Sequence, residues 1–68
     1  VQGAPKLRFR AIHYDKFIIS RLCETPKEAL DAYSELSPVP PTGIQAGIVV
    51  SGRFMLLDEI TQERWPAS

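Results

Sequence analysis

Cys23 and His13 are the only cysteine and the only histidine of this 68-residue chain, so any thiol–imidazole chemistry must come from that pair. A nucleophilic cysteine needs its base within hydrogen-bond reach. The two residues sit in neighbouring apolar runs, 7–14 and 17–23, joined at Asp15-Lys16. If the runs pair as a hairpin, His13 faces Ile18 and lies roughly 17 Å along the strand from Cys23. The two side chains are also expected on opposite faces. The spacing therefore predicts no catalysis, and Cys23 reads as a small buried hydrophobe. A structural zinc site needs four ligands at short spacing, which one Cys and one His do not supply. No metal and no cofactor is expected.

The other chemical groups point the same way. Glu28, Asp31 and Glu35 share one side of a helix at spacings of three and four. Paired carboxylates do acid–base work only in a cleft that drives their acidities apart; these lie opposite the apolar stripe, on a solvated helix face. Gly3, Gly43, Gly47 and Gly52 are scattered and form neither a phosphate loop nor a dinucleotide fingerprint. Ser20, Ser34, Ser37 and Ser51 lack the nucleophile-elbow context. Arg8, Arg10 and Arg21 with Tyr14 and Phe17 are the cluster with most chemical content. Cations interleaved with aromatics on a sheet face can bind single-stranded nucleic acid through phosphate contacts and base stacking. The competing reading is that the arginines lie over apolar neighbours and pair with acids.

The elements that hold these groups follow from pattern and punctuation. Leu7, Phe9 and Ala11 alternate with Arg8 and Arg10, which predicts a first strand over 7–14. The β-branched and aromatic run 17–23 predicts a second. Thr25-Pro26-Lys27-Glu28 is a helix start: Thr25 caps, Pro26 fits the first helical position, and Glu28 completes a capping box and suits the dipole. Ala29, Leu30, Ala32, Tyr33 and Leu36 form the apolar stripe. Pro38, Pro40 and Pro41 end the helix near Ser37 and stiffen the loop to Gly43. A third strand is expected over 44–50 and a fourth over 53–57, turning at Ser51-Gly52. Asp58 is expected to cap a short terminal helix from Glu59 to about Trp65. The predicted fold is a small α+β domain of ββαββ order, an antiparallel sheet with one helix on one face and a short C-terminal helical turn. It covers 6–65, with an N-terminal arm, 1–5, and a tail, 66–68. A strand pair, a helix beginning Thr25-Pro26-Lys27-Glu28-Ala29-Leu30 and a hairpin turning at Ser51-Gly52-Arg53 resembles many short bacterial proteins, and the resemblance implies no activity.

Two-residue turns fix the faces. Ile44, Ala46, Ile48, Val50, Met55 and Leu57 are expected to form the core side of the second hairpin, with Ala46 opposite Leu57. In the first, Leu7, Phe9, Ala11, His13, Ile18 and Leu22 share one face. The other carries Arg8, Arg10, Arg21, Ile12, Ile19, Tyr14, Phe17 and Cys23. One helix covers one face only, so Ile12, Phe17, Ile19, Val49, Phe54 and Leu56 are left as a large apolar patch, which monomers rarely expose. The simplest cover is a second copy of the chain; the competing cover is the terminal segment with Ile60 and Trp65.

Net charge is zero, but Lys6, Arg8, Arg10, Lys16, Arg21 and Lys27 outweigh Asp15 and Glu24 in the first part. Acids dominate from Glu28 onward, and the simplest consequence is mutual neutralisation. A lone cysteine suits a reducing compartment. No apolar run is long enough to span a bilayer, and the start at Val1 does not read as an intact signal peptide. These features predict a cytoplasmic, non-enzymatic interaction or regulatory module. The expected partner is a second copy or another protein, through Ile12, Phe17, Ile19, Val49, Phe54 and Leu56, with no membrane. The alternative is a nucleic-acid-binding module using Arg8, Arg10, Tyr14 and Arg21.

Overall fold

The computed structural model describes residues 6–65, so the expected arm and tail lie outside the described residues. Two strands, β1 (Arg8–His13) and β2 (Ile18–Ile19), precede the helix α1 (Pro26–Leu36). Two longer strands follow, β3 (Gly43–Val50) and β4 (Arg53–Ile60), and then a 3₁₀ turn, Gln62–Arg64. The sheet is antiparallel throughout, in the order β2-β1-β3-β4. The fold is thus the expected α+β type, with one helix packed on a four-stranded sheet.

The helix starts as its capping sequence dictates. Thr25 Oγ1 accepts the Glu28 N–H at 3.2 Å, and Pro26 occupies the first turn. The return bond differs from a standard capping box: the Thr25 hydroxyl donates to Glu28 Oε1 at 3.1 Å. At the other end the Ser37 N–H donates to the Tyr33 carbonyl, and Pro38 prevents another turn. Ala29, Ala32 and Tyr33 are the buried residues of α1. They meet Ala11, Cys23 and Ile44 from the sheet, with Phe9, Ile18, Leu30, Ile60 and Trp65 around them. Three alanines at this contact let the helix backbone sit close to β1.

Both hairpins take the expected starting register. Ile12 faces Ile19 and His13 faces Ile18 in the first; Val50 faces Arg53 and Ile48 faces Met55 in the second. Ser51 and Gly52 both have positive φ, 53° and 78°, as a two-residue type I′ turn requires. Each hairpin then departs from regular pairing by one residue. In the first, the Ser20 side chain replaces a strand carbonyl and accepts the Ala11 N–H at 2.9 Å. Pairing resumes with Phe9 and Cys23, which exchange bonds of 2.8 and 2.7 Å. The extra residue shortens β2 to two residues and turns Cys23 to the helix side, not to the arginine face expected for it. In the second, Gly47 faces Leu56 but Ala46 faces Asp58, so Leu57 is a bulge and is not the partner of Ala46.

The expected C-terminal helical turn is present as the 3₁₀ turn Gln62–Arg64, and it starts later than expected because β4 runs on past the bulge. β4 continues through Glu59 and Ile60, opposite Gln45 and Ile44, and Asp58 Oδ1 accepts the Glu59 N–H at 2.8 Å without capping a helix. The expected core row is buried only at one end: Ile44 and Ala46 are enclosed and Ile48 is partly buried, whereas Val50, Met55 and Leu57 are exposed. The short helix does not reach them.

Tyr33 is 1% exposed and its hydroxyl has no hydrogen-bond partner among the described residues. A buried unpaired hydroxyl opposes folding, and deleting both the group and its desolvation penalty is close to neutral or favourable. Tyr33→Phe should therefore hold or raise stability, by up to about 1–3 kcal/mol. Urea unfolding measures this, and a clear loss would show that the hydroxyl is satisfied in solution.

Candidate functional site: the sheet face without a helix

The face opposite α1 has a polar centre built around β3. Gly43, Gln45 and Gly47 alternate on this side, with Ile12, Arg10 and Arg8 beside them on β1. The Arg10 Nε–H donates to Gln45 Oε1 at 2.8 Å, and its guanidinium lies 4.3 Å from the centroid of the Phe54 ring. Tyr14 reaches over Gly43 and donates its hydroxyl to Glu59 Oε2. Phe54 lies over Gly47 in the same way. Gly47 is what allows the second of these, whereas a side chain at Gly43 would make only ordinary contact. A Cβ on Gly43 would stand 3.4 Å from Tyr14 Cε2; one on Gly47 would stand 2.7 Å from Phe54 Cζ and 2.2 Å from the Met55 carbonyl.

This network divides the expected apolar patch. Ile12 is buried within the chain at 6% exposure, and Ile19 is half exposed beside it on the β2 side. Phe17 sits in the first turn at φ 54°, 82% exposed, so it belongs to the tip of that hairpin and not to a strand face. Val49, Phe54 and Leu56 gather at the far end of the β3–β4 hairpin, where Leu56 is 48% exposed and Phe54 is partly covered by Arg10. Through Trp65, the terminal segment does not cover this face. Ile60 stands opposite Ile44 and, with Trp65, packs against the helix-side core. The Trp65 indole N–H donates to the Ile60 carbonyl at 3.0 Å.

The basic cluster is likewise dispersed. Arg8 and Arg10 share the face, but Arg8 pairs with Glu24 at 3.4 Å. Arg21 is redirected by the first bulge and lies 4.0 Å from Glu35 of the helix. Tyr14 is engaged by an acid. Cys23 and His13 prove to share the helix side and are not on opposite faces. They remain four residues of strand apart, roughly 13 Å, because Cys23 pairs beside Phe9. His13 Nδ1 accepts the Lys16 N–H within the turn at 3.2 Å. Among the described residues no group of three or more His, Cys, Asp or Glu is placed to hold a metal. No helix among the described residues is long and apolar enough to cross a membrane.

Gln45, Glu59, Gly43 and Gly47 organise this face and were not singled out from the sequence. The available signal was the Gly-x-Gln-x-Gly spacing inside a strand, since an interior glycine marks a bulge or a close approach. No family model matches this chain, and comparisons with curated proteins and with solved structures find no similar protein.

Two consequences can be measured. Gly47→Ala should destabilise the domain by about 1–3 kcal/mol, although alanine is ordinarily the better strand residue, because its Cβ meets a backbone carbonyl. Unchanged stability on thermal unfolding would refute the close packing. The Tyr14 phenol is raised above its ordinary value of 10.0, first by desolvation and then by the Glu59 carboxylate that accepts its proton. A raised acid favours its protonated form in the fold, so its contribution is present below the unfolded value and fades as pH climbs through the folded one. Tyr14→Phe should thus be less stable than wild type near neutrality, with the gap narrowing above pH 10.0. A gap that widens there would reverse the assignment.

Proposed function

We propose that this chain is a small, non-enzymatic interaction module that self-associates through the β3–β4 end of its sheet. The observation that carries the reading is that this hairpin projects beyond the helix and is apolar on both sides. Val49, Phe54 and Leu56 lie on one side; Ile48, Val50 and Met55 lie on the other. β4 is also an edge strand, so its outer main-chain groups have no strand to pair with among the described residues. A second copy is the occupant that fits the charges. The chain carries no net charge, so two copies do not repel, and the apolar stretch of β4 is bounded by a base at one end and acids at the other. A strongly charged partner finds no matching field there.

A lone, buried cysteine supports placement in the reducing cytoplasm. The nucleic-acid alternative draws on Arg8, Arg10 and Tyr14 sharing a face. Less supports it, since Glu24, Gln45 and Glu59 occupy those groups and the two carboxylates place negative charge where phosphate would sit.

Leu56→Glu should convert a dimer to a monomer in sedimentation equilibrium while leaving the unfolding midpoint nearly unchanged. Leu36→Glu, at the exposed end of the helix, should leave the dimer intact. A wild-type chain that is monomeric, or one retained on a single-stranded oligonucleotide in a salt-sensitive manner, would overturn the proposal.

A further inference from the structure

We infer that two copies join edge to edge, β4 against β4 in antiparallel sense, to continue one sheet across eight strands; this rests on the self-association proposed above. The hairpin geometry gives the orientation of the edge. Val50 and Arg53 close a two-residue turn, so Arg53 and Met55 direct their main-chain groups toward β3, and Phe54 and Leu56 direct theirs outward. The edge therefore offers donors and acceptors at two alternate residues, both with apolar side chains on the helix-free face.

The side chains select the antiparallel sense. Arg53 lies at one end of the stretch and Asp58 at the other, with four uncharged residues between them. Residues five apart on a regular strand point to opposite faces. The Leu57 bulge removes that difference: Arg53 stands opposite Val50 and Asp58 opposite Ala46, so both lie on the helix side. A two-fold axis through Met55 then places Phe54 across from Leu56 of the second copy and Arg53 across from Asp58 of the second copy, each pair on a common face. Parallel pairing would bring the two Arg53 side chains together. Arg53 has no ion pair among the described residues. Asp58 Oδ1 accepts the Glu59 N–H, and its ion pair with Arg64, at 3.7 Å, is exposed and of a kind worth little in water. A bulge often blocks an edge against pairing; here it is what makes the charges of two copies match.

Charge reversal in separate chains tests the arrangement. Arg53→Asp alone and Asp58→Arg alone should each weaken self-association by about tenfold or more, because two like-charge contacts form per dimer. An equimolar mixture of the two variants should recover wild-type mass, since every contact becomes attractive in the mixed dimer. Circular dichroism confirms that each variant is folded. As a second readout, Met55→Cys should cross-link across the axis under mild oxidation, with Cys23 left buried in place, whereas Ser51→Cys at the hairpin tip should not. A wild-type dimer whose association is insensitive to both reversals, or a mixture that does not recover, overturns the edge pairing and leaves self-association standing. A monomeric wild type overturns both.

Discussion

The structure depends on one crossover. β2 and β3 flank β1, so the chain that leaves β2 must pass over β1 before it can re-enter the sheet. That crossover is α1, and it can only lie on the strand it crosses. Its 11 residues span about 16 Å, whereas the eight residues of β3 or β4 span roughly 26 Å. Ala11, Ala29 and Ala32 bring helix and sheet into close contact, which makes the cover tight and also narrow. Ile44 and Ala46 fall beneath it; the rest of the second hairpin does not. The 41 Å long axis, against 23 and 19 Å for the others, is the outward form of the same constraint.

The two surfaces left without a helix are handled differently. At the middle of the sheet the chain supplies its own cover, with aromatic rings laid over glycines and Arg10 held between a ring and an amide. A cation over an aromatic face contributes roughly 0.5–2 kcal/mol according to its desolvation. More important here, the arginine donates to the oxygen of a buried amide. Near the hairpin tip the described residues supply no such cover, and Met55, Leu56 and Leu57 are each about half exposed or more. The exposed apolar surface is therefore concentrated at the β4 edge and not spread across the face.

Much of this frame was legible in the sequence. Thr25-Pro26-Lys27-Glu28 located the helix start, Ser51-Gly52 located the turn, and alternation around Phe9 and Ala11 located the first strand. The bulges were not legible from hydrophobic pattern. Phe54-Met55-Leu56-Leu57 is a continuous apolar run, so inserting one residue leaves no break in alternation to detect. At Ser20 the strand ladder is completed by a hydroxyl in place of a carbonyl, a substitution that any serine in a strand could make. The site was harder to read than the fold because its members, Arg10, Gln45, Glu59 and Tyr14, come from three strands and a turn.

The same two insertions decide both stability and surface. Without the first, Leu22 would pair with Phe9, and Cys23 would leave the core for the arginine face. With it, Cys23 completes the core and Arg21 turns toward Glu35. Without the second, the turn register would carry Glu59 opposite Ile44, placing a carboxylate against the core, and would set Ile60 beside Gly43 on the open face. An uncompensated buried carboxylate is among the costliest arrangements a small domain can contain. The Leu57 bulge exchanges the two: Ile60 packs beneath the helix, and Glu59 emerges to accept the Tyr14 proton. That exchange is required by the core alone. Its consequence at the edge, Arg53 and Asp58 on a single face, follows without any further change in the chain, so the residue that makes the monomer foldable also sets the charge pattern that a second strand would meet.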